Sequence, residues 1–403
     1  MEQVLYSLPD GWEWQELADV VVKTENLNPL KHADQLWTYI DISSVDRDRF
    51  AVTDPKEILG KDAPSRAKKH VQLNDVIFAT TRPNLKNIAL VRDEYSSPVA
   101  STGFCVLRAN KKVLPAYLFY FVTTDFVQAQ IEPYVGGASY PAITDGNLKK
   151  APIPIPSIEE QNRIVEKLDA LLTRIDTAIE HLQESVTLAD ALSKNGLSEI
   201  FESLKDRYEV VPLSSVVKIN SGIALPKLFK NGFSDGDIPF FKVAQMNNHH
   251  ENMVKPEITF NETVAKEHKI KLFPKGSTLI PKRGGAILTN KKRMLLEDAS
   301  YDSNIMGLKA DESKISDEYL FAFMRTIDLA NFVDASTIPQ VNNKHIDQMQ
   351  IPLASIEEQA DVVSRVNLLV KKVETMNSEI QRQLDDLQAL KSSILDSAFK
   401  GEL

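Results

Sequence analysis

Two stretches gather side chains suited to hydrogen-bonding polar edges and anions. In Ala79-Thr-Thr-Arg-Pro-Asn-Leu-Lys-Asn87, the residues Thr81, Arg82, Asn84, Lys86 and Asn87 sit just ahead of the apolar run 88–91. In Pro281-Lys-Arg-Gly-Gly-Ala-Ile-Leu-Thr-Asn-Lys-Lys-Arg293, the second half of the chain supplies Lys282, Arg283, Asn290, Lys291, Lys292 and Arg293. Shape decides what these groups can do. A guanidinium is a planar fork that offers two parallel N–H bonds to guanine or a phosphate, and a side-chain amide matches an adenine edge. Lysine ammonium groups attract a phosphate backbone regardless of base sequence. A solvated basic hairpin tip would share this composition, and recurrence in both halves is what singles the loops out.

A second pair of loops follows the same logic. Gly136-Gly-Ala-Ser-Tyr-Pro141, with Ser139 and Tyr140, corresponds to Asp334-Ala-Ser-Thr-Ile-Pro339. Thr144, Asp145 and Asn147 come after the first; Gln340, Asn342, Asn343, Lys344 and His345 come after the second. Small residues let a backbone approach closely, and amides and hydroxyls can read base edges. Ile143 and Val341, lying between, read as core. Further candidates are Lys242, Gln245 and Asn247 in the stretch 242–250, loosely matched by 41–49, and Lys68 and Lys69 in the basic run 66–70.

No arrangement for making or breaking bonds accompanies these loops. Cys105 is the sole cysteine, which excludes an internal disulfide and a cysteine-rich zinc site. His249-His250 have no accompanying ligands, and neither Gly136-Gly137 nor Gly284-Gly285 stands in a dinucleotide-binding pattern. Walker-type, His-Glu-x-x-His and Asn/Asp-Pro-Pro-aromatic motifs are absent from the sequence. The expectation is a binding protein, not an enzyme, with no metal or cofactor of its own.

The elements that position the loops are used twice. Ser-Ile-Glu-Glu-Gln occurs at 157–161 and again at 355–359. Tyr140-Pro-Ala-Ile143 aligns with Ile338-Pro-Gln-Val341, Ala116-Tyr-Leu-Phe119 with Glu318-Tyr-Leu-Phe321, and Leu17-Ala-Asp-Val-Val21 with Leu213-Ser-Ser-Val-Val217. Each Ser-Ile-Glu-Glu-Gln opens a long helix, because serine is a good N-cap and glutamates suit the first turn. Apolar residues then fall on heptads: Leu168, Leu171, Ile175, Ala178 and Leu182 in the first copy. In the second they are Val366, Leu369, Val373, Met376, Ile380, Leu387, Leu390 and Ile394, with Gln383 breaking the seam. Matched heptads predict mutual pairing as a coiled coil, antiparallel if a pseudo-twofold axis relates the copies. Gly196 weakens the expectation for the last turns of the first helix.

The predicted organisation is a mixed α/β domain over 1–156, a helix over 157–206, a second domain over 207–354 and a helix over 355–403. Helices around Tyr-Leu-Phe are expected over 114–131 and 317–332, and β-rich runs over 71–79 and 270–280. The formal charge of −9 argues at first against nucleic acid, but the two helical segments hold that entire surplus, and the remaining residues balance. No apolar run approaches a membrane span and no basic-then-apolar leader opens the chain, so a reducing cytoplasm is expected.

Together the duplicated Pro-x-x-Ser-Ile-Glu-Glu-Gln junctions, the helices after them, the tail 390–403 and the loop Thr81-Arg-Pro-Asn-Leu-Lys-Asn87 resemble the specificity subunit of type I restriction–modification systems. The resemblance covers essentially the whole chain. It implies an α+β fold in which two mixed α/β target recognition domains are joined and separated by two long antiparallel coiled-coil helices, as a pseudo-twofold internal repeat. Each domain would read half of a split site in double-stranded DNA, and helix length would set the spacing. The helices would dock two modification subunits, which bind S-adenosylmethionine and methylate adenine. Restriction subunits, where present, would use ATP and magnesium. Two other readings stay open: the specificity partner of a fused restriction–methylation enzyme, and a coiled-coil scaffold with no DNA role.

Overall fold

Residues 158–205 and 356–400 form two unbroken helices, Ile158–Lys205 and Ile356–Lys400. Their starts are capped alike: Ser157 Oγ accepts from Glu160 N at 3.2 Å and Ser355 Oγ from Glu358 N at 3.3 Å. The computed structural model describes residues 5–333 and 338–403. These divide into two compact units, Met1–Gln183 with Gln381–Leu403, and Glu184–Ile380. Each unit therefore takes the beginning of one helix and the end of the other.

In unit one a four-stranded antiparallel sheet runs in the order Val21–Val22, Phe104–Ala109, Val76–Ala79, Ile88–Leu90. The strand Val76–Ala79 is buried along its length because both faces are covered. Val76 and Phe78 face a core with Tyr117, Phe121, Ile164, Leu168 and Phe399. Ile77 and Ala79 face a second core with Ile40, Val71, Phe104 and Val106. A further sheet joins Lys56–Leu59, Leu36–Ile40, Pro98–Ser101 and Ala67–His70.

Unit two repeats the plan. Its antiparallel sheet is Val217–Ser221, Ile305–Ala310, Thr278–Pro281, Arg293–Met294. Ile280 and Met306 pack with Tyr319, Phe323, Phe201 and Val366, whereas Leu279 and Ile305 pack with Phe273 and Tyr301 on the other face. The helices around Tyr-Leu-Phe are shorter than the sequence suggested. Extended backbone at Thr124 splits the first into Pro115–Thr123 and Asp125–Ile131; the second is Asp317–Thr326, followed by the 3-10 turn Leu329–Phe332. The strands, too, occupy only the ends of the expected β-rich runs.

Within each unit the long helices run antiparallel. In unit one Arg163 Nη2 donates to Leu403 O at 2.9 Å and Lys391 Nζ to Asp176 Oδ1 at 2.7 Å, so advancing along one helix means retreating along the other. In unit two Asn377 Nδ2 donates to Asp190 Oδ1 at 3.1 Å, and a Cβ on Gly196 would lie 2.9 Å from Leu369 Cδ2. Gly196 does not interrupt its helix. Leu197, Ile200, Phe201 and Leu204 anchor the last turns in the core of unit two, so tertiary burial overrides glycine's poor propensity.

The heptad assignment needs one correction. Leu168, Ile175, Val366, Val373 and Ile380 are buried, and Leu171, Leu182, Leu369 and Leu387 are half-buried. Met376, however, is 41% exposed, and Leu390 is exposed as well. An unsupercoiled helix turns by about 3.6 residues, so its buried face drifts about 20° per heptad away from a strict seven-residue seam. The stripe passes instead through Leu172, Asn377 and Leu384. Met376→Lys should consequently shift stability by no more than about 0.5 kcal/mol, while Ile380→Ala should destabilise by about 2–3 kcal/mol in urea titrations. Equal losses at the two positions would contradict this burial pattern. No helix among the described residues is long and apolar enough to cross a membrane.

Candidate nucleic-acid interface

Each sheet delivers one loop from the end of its central strand, and that loop is sewn to a second loop by main-chain hydrogen bonds. After Val76–Ala79, Thr80 Oγ1 donates to Gly103 O at 3.0 Å. Ile143 N donates to Thr80 O at 2.9 Å and Arg82 N to Pro141 O at 2.7 Å; Thr81 bridges Ala142. Ala142 and Gly136 exchange two further bonds at 2.8 and 2.9 Å. The stretches 79–87 and 136–143, noted separately in the sequence, form one surface in unit one. Ile143 beneath it is buried.

On that surface Arg82, Asn84, Ser139 and Tyr140 are exposed, and Thr81 and Asn87 are half-buried. The Arg82 guanidinium lies over the Tyr140 ring, 5.3 Å from its centroid. Lys86 is otherwise engaged: its Nζ donates to Thr123 O at 2.9 Å and Asp125 Oδ1 at 2.7 Å, at the end of the helix Pro115–Thr123. Lys86 and Ser392 hold the Asp125 carboxyl below the usual carboxylate range. Lys69 pairs with Asp145 at 2.7 Å, whereas Lys68 is exposed.

Unit two has the same stitching. Val341 N donates to Lys282 O at 3.0 Å, Gly284 N to Pro339 O at 2.9 Å, and Arg283 bridges Gln340. These bonds equate Thr80 with Lys282, Thr81 with Arg283, and Arg82 with Gly284. Arg82 and Gly284 also share positive φ, 50° and 74°. The arginines treated as counterparts in the sequence are therefore one position apart. Arg82 is left-handed (φ 50°, ψ 56°) whereas Arg283 is extended (φ −147°, ψ 145°), so the two arginines are presented differently.

Several basic and amide candidates in unit two turn inward. Lys292 and Arg293 are each 7% exposed. Lys292 Nζ donates to Asn290 Oδ1 at 2.7 Å and to Ile327 O, at the end of the helix Asp317–Thr326. Burial lowers its pKa to about 8, against the opposing pull of Asp328. Arg293 donates to Asn248 Oδ1 at 3.1 Å, Asn248 O at 2.8 Å and Lys292 O at 2.7 Å. Asn290 takes a left-handed conformation (φ 52°) and accepts from Leu329 N at 2.9 Å. Composition marked this run as surface, but Arg293 belongs to a sheet strand and its neighbours brace a helix end.

Other candidates also have structural duties. Gln245 accepts from Lys242 N at 2.9 Å and donates to Lys255 O at 3.0 Å, while Lys242 Nζ approaches Glu257 at 3.5 Å. Asn342 caps the helix Asn343–Gln348 by accepting from Lys344 N at 3.1 Å. Lys282 Nζ donates to Ser221 Oγ at 3.0 Å. Exposed Arg283, Asn247, Asn343 and Lys344, with half-buried Lys291 and Gln340, remain on the surface. Residues 334–337 of the second loop lie outside the described residues. Burial pushes the Cys105 thiol up to about 12, which makes it a poor nucleophile.

The sequence reading missed the groups that hold the loops' scaffold. Gln161 Nε2 donates to Lys112 O at 2.9 Å and Pro156 O at 3.1 Å, and its Oε1 accepts from Leu114 N at 2.9 Å. Gln359 repeats this with Lys314 O, Ala354 O and Ser316 N, each at 2.9 Å. Tyr117 and Tyr319 hydroxyls donate to Pro154 O at 2.8 Å and Pro352 O at 2.9 Å. The signal was present, since each glutamine closes the repeated pentapeptide and each tyrosine belongs to a repeated Tyr-Leu-Phe.

Comparison with known proteins agrees with the duplication. The pattern of the type I restriction modification DNA specificity domain matches residues 9–188 and again 205–385. The StySPI specificity subunit of Salmonella potsdam is 23% identical over 98% of this chain and 90% of its own length. The EcoKI specificity subunit of Escherichia coli strain K12 is 22% identical over the same shares. A chain from a type I restriction–modification assembly, solved to explain complex assembly and conformational transition, superposes with a TM-score of 0.84 at 30% identity, covering 99% of this chain and 100% of that one. The crystal structure of the HsdS subunit from Thermoanaerobacter tengcongensis gives 0.57 at 29% identity, covering 99% of each chain. Matched twice by one pattern, and alike to these proteins from end to end, the chain belongs to the DNA specificity family of type I restriction–modification systems.

Proposed function

We propose that this specificity subunit reads a DNA site in two parts, one part per unit, and that its paired helices set the spacing between them. The observation that carries this reading is the repeated surface: in each unit one strand-end loop is bonded to one pre-helix loop and presents an exposed arginine. Arg82, Asn84, Ser139 and Tyr140 serve the first half-site; Arg283, Gln340, Asn343 and Lys344 serve the second. Lys68 and Lys291 supply phosphate attraction. The acidic helix pair is the docking element for two modification subunits, which supply S-adenosylmethionine chemistry, and the assembly accepts restriction subunits that use ATP and magnesium. This chain contributes recognition, not bond chemistry, and works in the cytoplasm, where the DNA is.

Methylome sequencing of cells with and without the chain tests the proposal. The expected result is a split motif methylated only when the chain is present; unchanged methylation would refute it. In the same assay Arg283→Ala should relax or weaken one half of the motif and leave the other intact. A uniform loss across sequences would reduce Arg283 to a phosphate contact.

A further inference from the structure

Arg82 and Tyr140 form a pair that unit two replaces at both positions. Their counterparts, given by the main-chain bonds and the aligned loops, are Gly284 and Ile338. Arg82 holds φ 50° and ψ 56° immediately before Pro83, a left-handed conformation unfavourable for a residue with a Cβ. Gly284 takes φ 74° with no such cost. At this position the strain is thus present only where the residue carries a guanidinium. Tyr140 is 77% exposed, so core packing does not account for an aromatic ring there. The bond from Arg82 N to Pro141 O, 2.7 Å long, fixes the two loops beside each other.

We infer that Arg82 and Tyr140 jointly read one base step of the first half-site: Arg82 donates to O6 and N7 of a guanine, and the Tyr140 ring packs on the methyl group of a thymine one step away. This rests on the DNA-reading role proposed above. The arginine fork matches guanine, and thymine alone among the four bases shows a methyl group in the major groove. A guanidinium bonded in the plane of a guanine places a ring centred 5.3 Å from it near the next base pair, since steps are about 3.4 Å apart. The cation–π contact holds the fork ready, which lowers the rotamer entropy lost on binding.

The test uses the full chain with its co-expressed modification partner and duplexes carrying the methylated motif. In the first half-site each guanine is replaced in turn by 7-deazaguanine and each thymine by uracil, which lacks the methyl group. One deaza substitution should weaken wild-type binding roughly tenfold and have no effect in Arg82→Ala. One neighbouring uracil should weaken it about threefold, with no effect in Tyr140→Ala and full effect in Tyr140→Phe. The second half-site should respond identically in all variants, and melting temperatures should match because both side chains are exposed. The inference fails if Tyr140→Ala stays sensitive to uracil, if the losses are equal on every sequence, or if the first half-site has no such step. Absence of any split motif would instead overturn the DNA-reading role, and this inference with it.

Discussion

Gln161→Ala should destabilise unit one by about 3 kcal/mol, and Gln359→Ala should do the same to unit two. Gln161 is fully buried and Gln359 is 1% exposed. Each makes three hydrogen bonds that tie the segment ahead of the Tyr-Leu-Phe helix to the start of a long helix. Alanine would leave one main-chain N–H and two carbonyls without those partners in a space that water reaches poorly, and each stranded group costs about 1–3 kcal/mol. Gln161→Glu should be worse than alanine, because a carboxylate would face Lys112 O and Pro156 O. Differential scanning calorimetry should show a fall of roughly 6–12 °C in the melting of the affected unit. A shift below about 1 °C would mean that the junction is not clamped as described.

The second large effect concerns spacing. Inserting seven residues into both long helices, after Gln183 and after Ile380, should lengthen the preferred spacer by about three base pairs and leave the letters of both half-sites unchanged. Seven residues add about 10 Å of helix, against about 3.4 Å per base pair. The insertion also turns each helix almost a whole number of times, so the apolar stripe keeps facing its partner. Insertion into one helix alone should abolish site-specific methylation, since the antiparallel contacts Asp176–Lys391 and Asp190–Asn377 could not both be kept. A lengthened protein that kept the original spacer, or that read new bases in a half-site, would contradict the ruler role.

Local signals served the helices well. Serine caps, first-turn glutamates and a long apolar repeat are short-range features, and they located both helices in the sequence. They failed where a residue's role depended on a distant partner. Met376 fits the heptad and is exposed, because the buried stripe passes through Val373, Asn377, Ile380 and Leu384 instead. Lys86, Asn290, Lys292 and Arg293 look like nucleic-acid ligands in two polar, basic loops; three of them brace the end of a helix and Arg293 braces Asn248. Arg82 and Arg283 look equivalent until the bonds to Pro141 and Pro339 place them one residue apart.

The sequence by itself determined the duplication, the position of the long helices, the confinement of negative charge to them and the family likeness, because each is carried by residue identity or by spacing along one element. Only the tertiary structure decided which loops meet, which basic side chains are turned inward and which glutamines and tyrosines clamp the scaffold. Those outcomes depend on main-chain hydrogen bonds and burial between segments far apart in the chain, and a side chain's identity does not reveal which of its possible partners it has found.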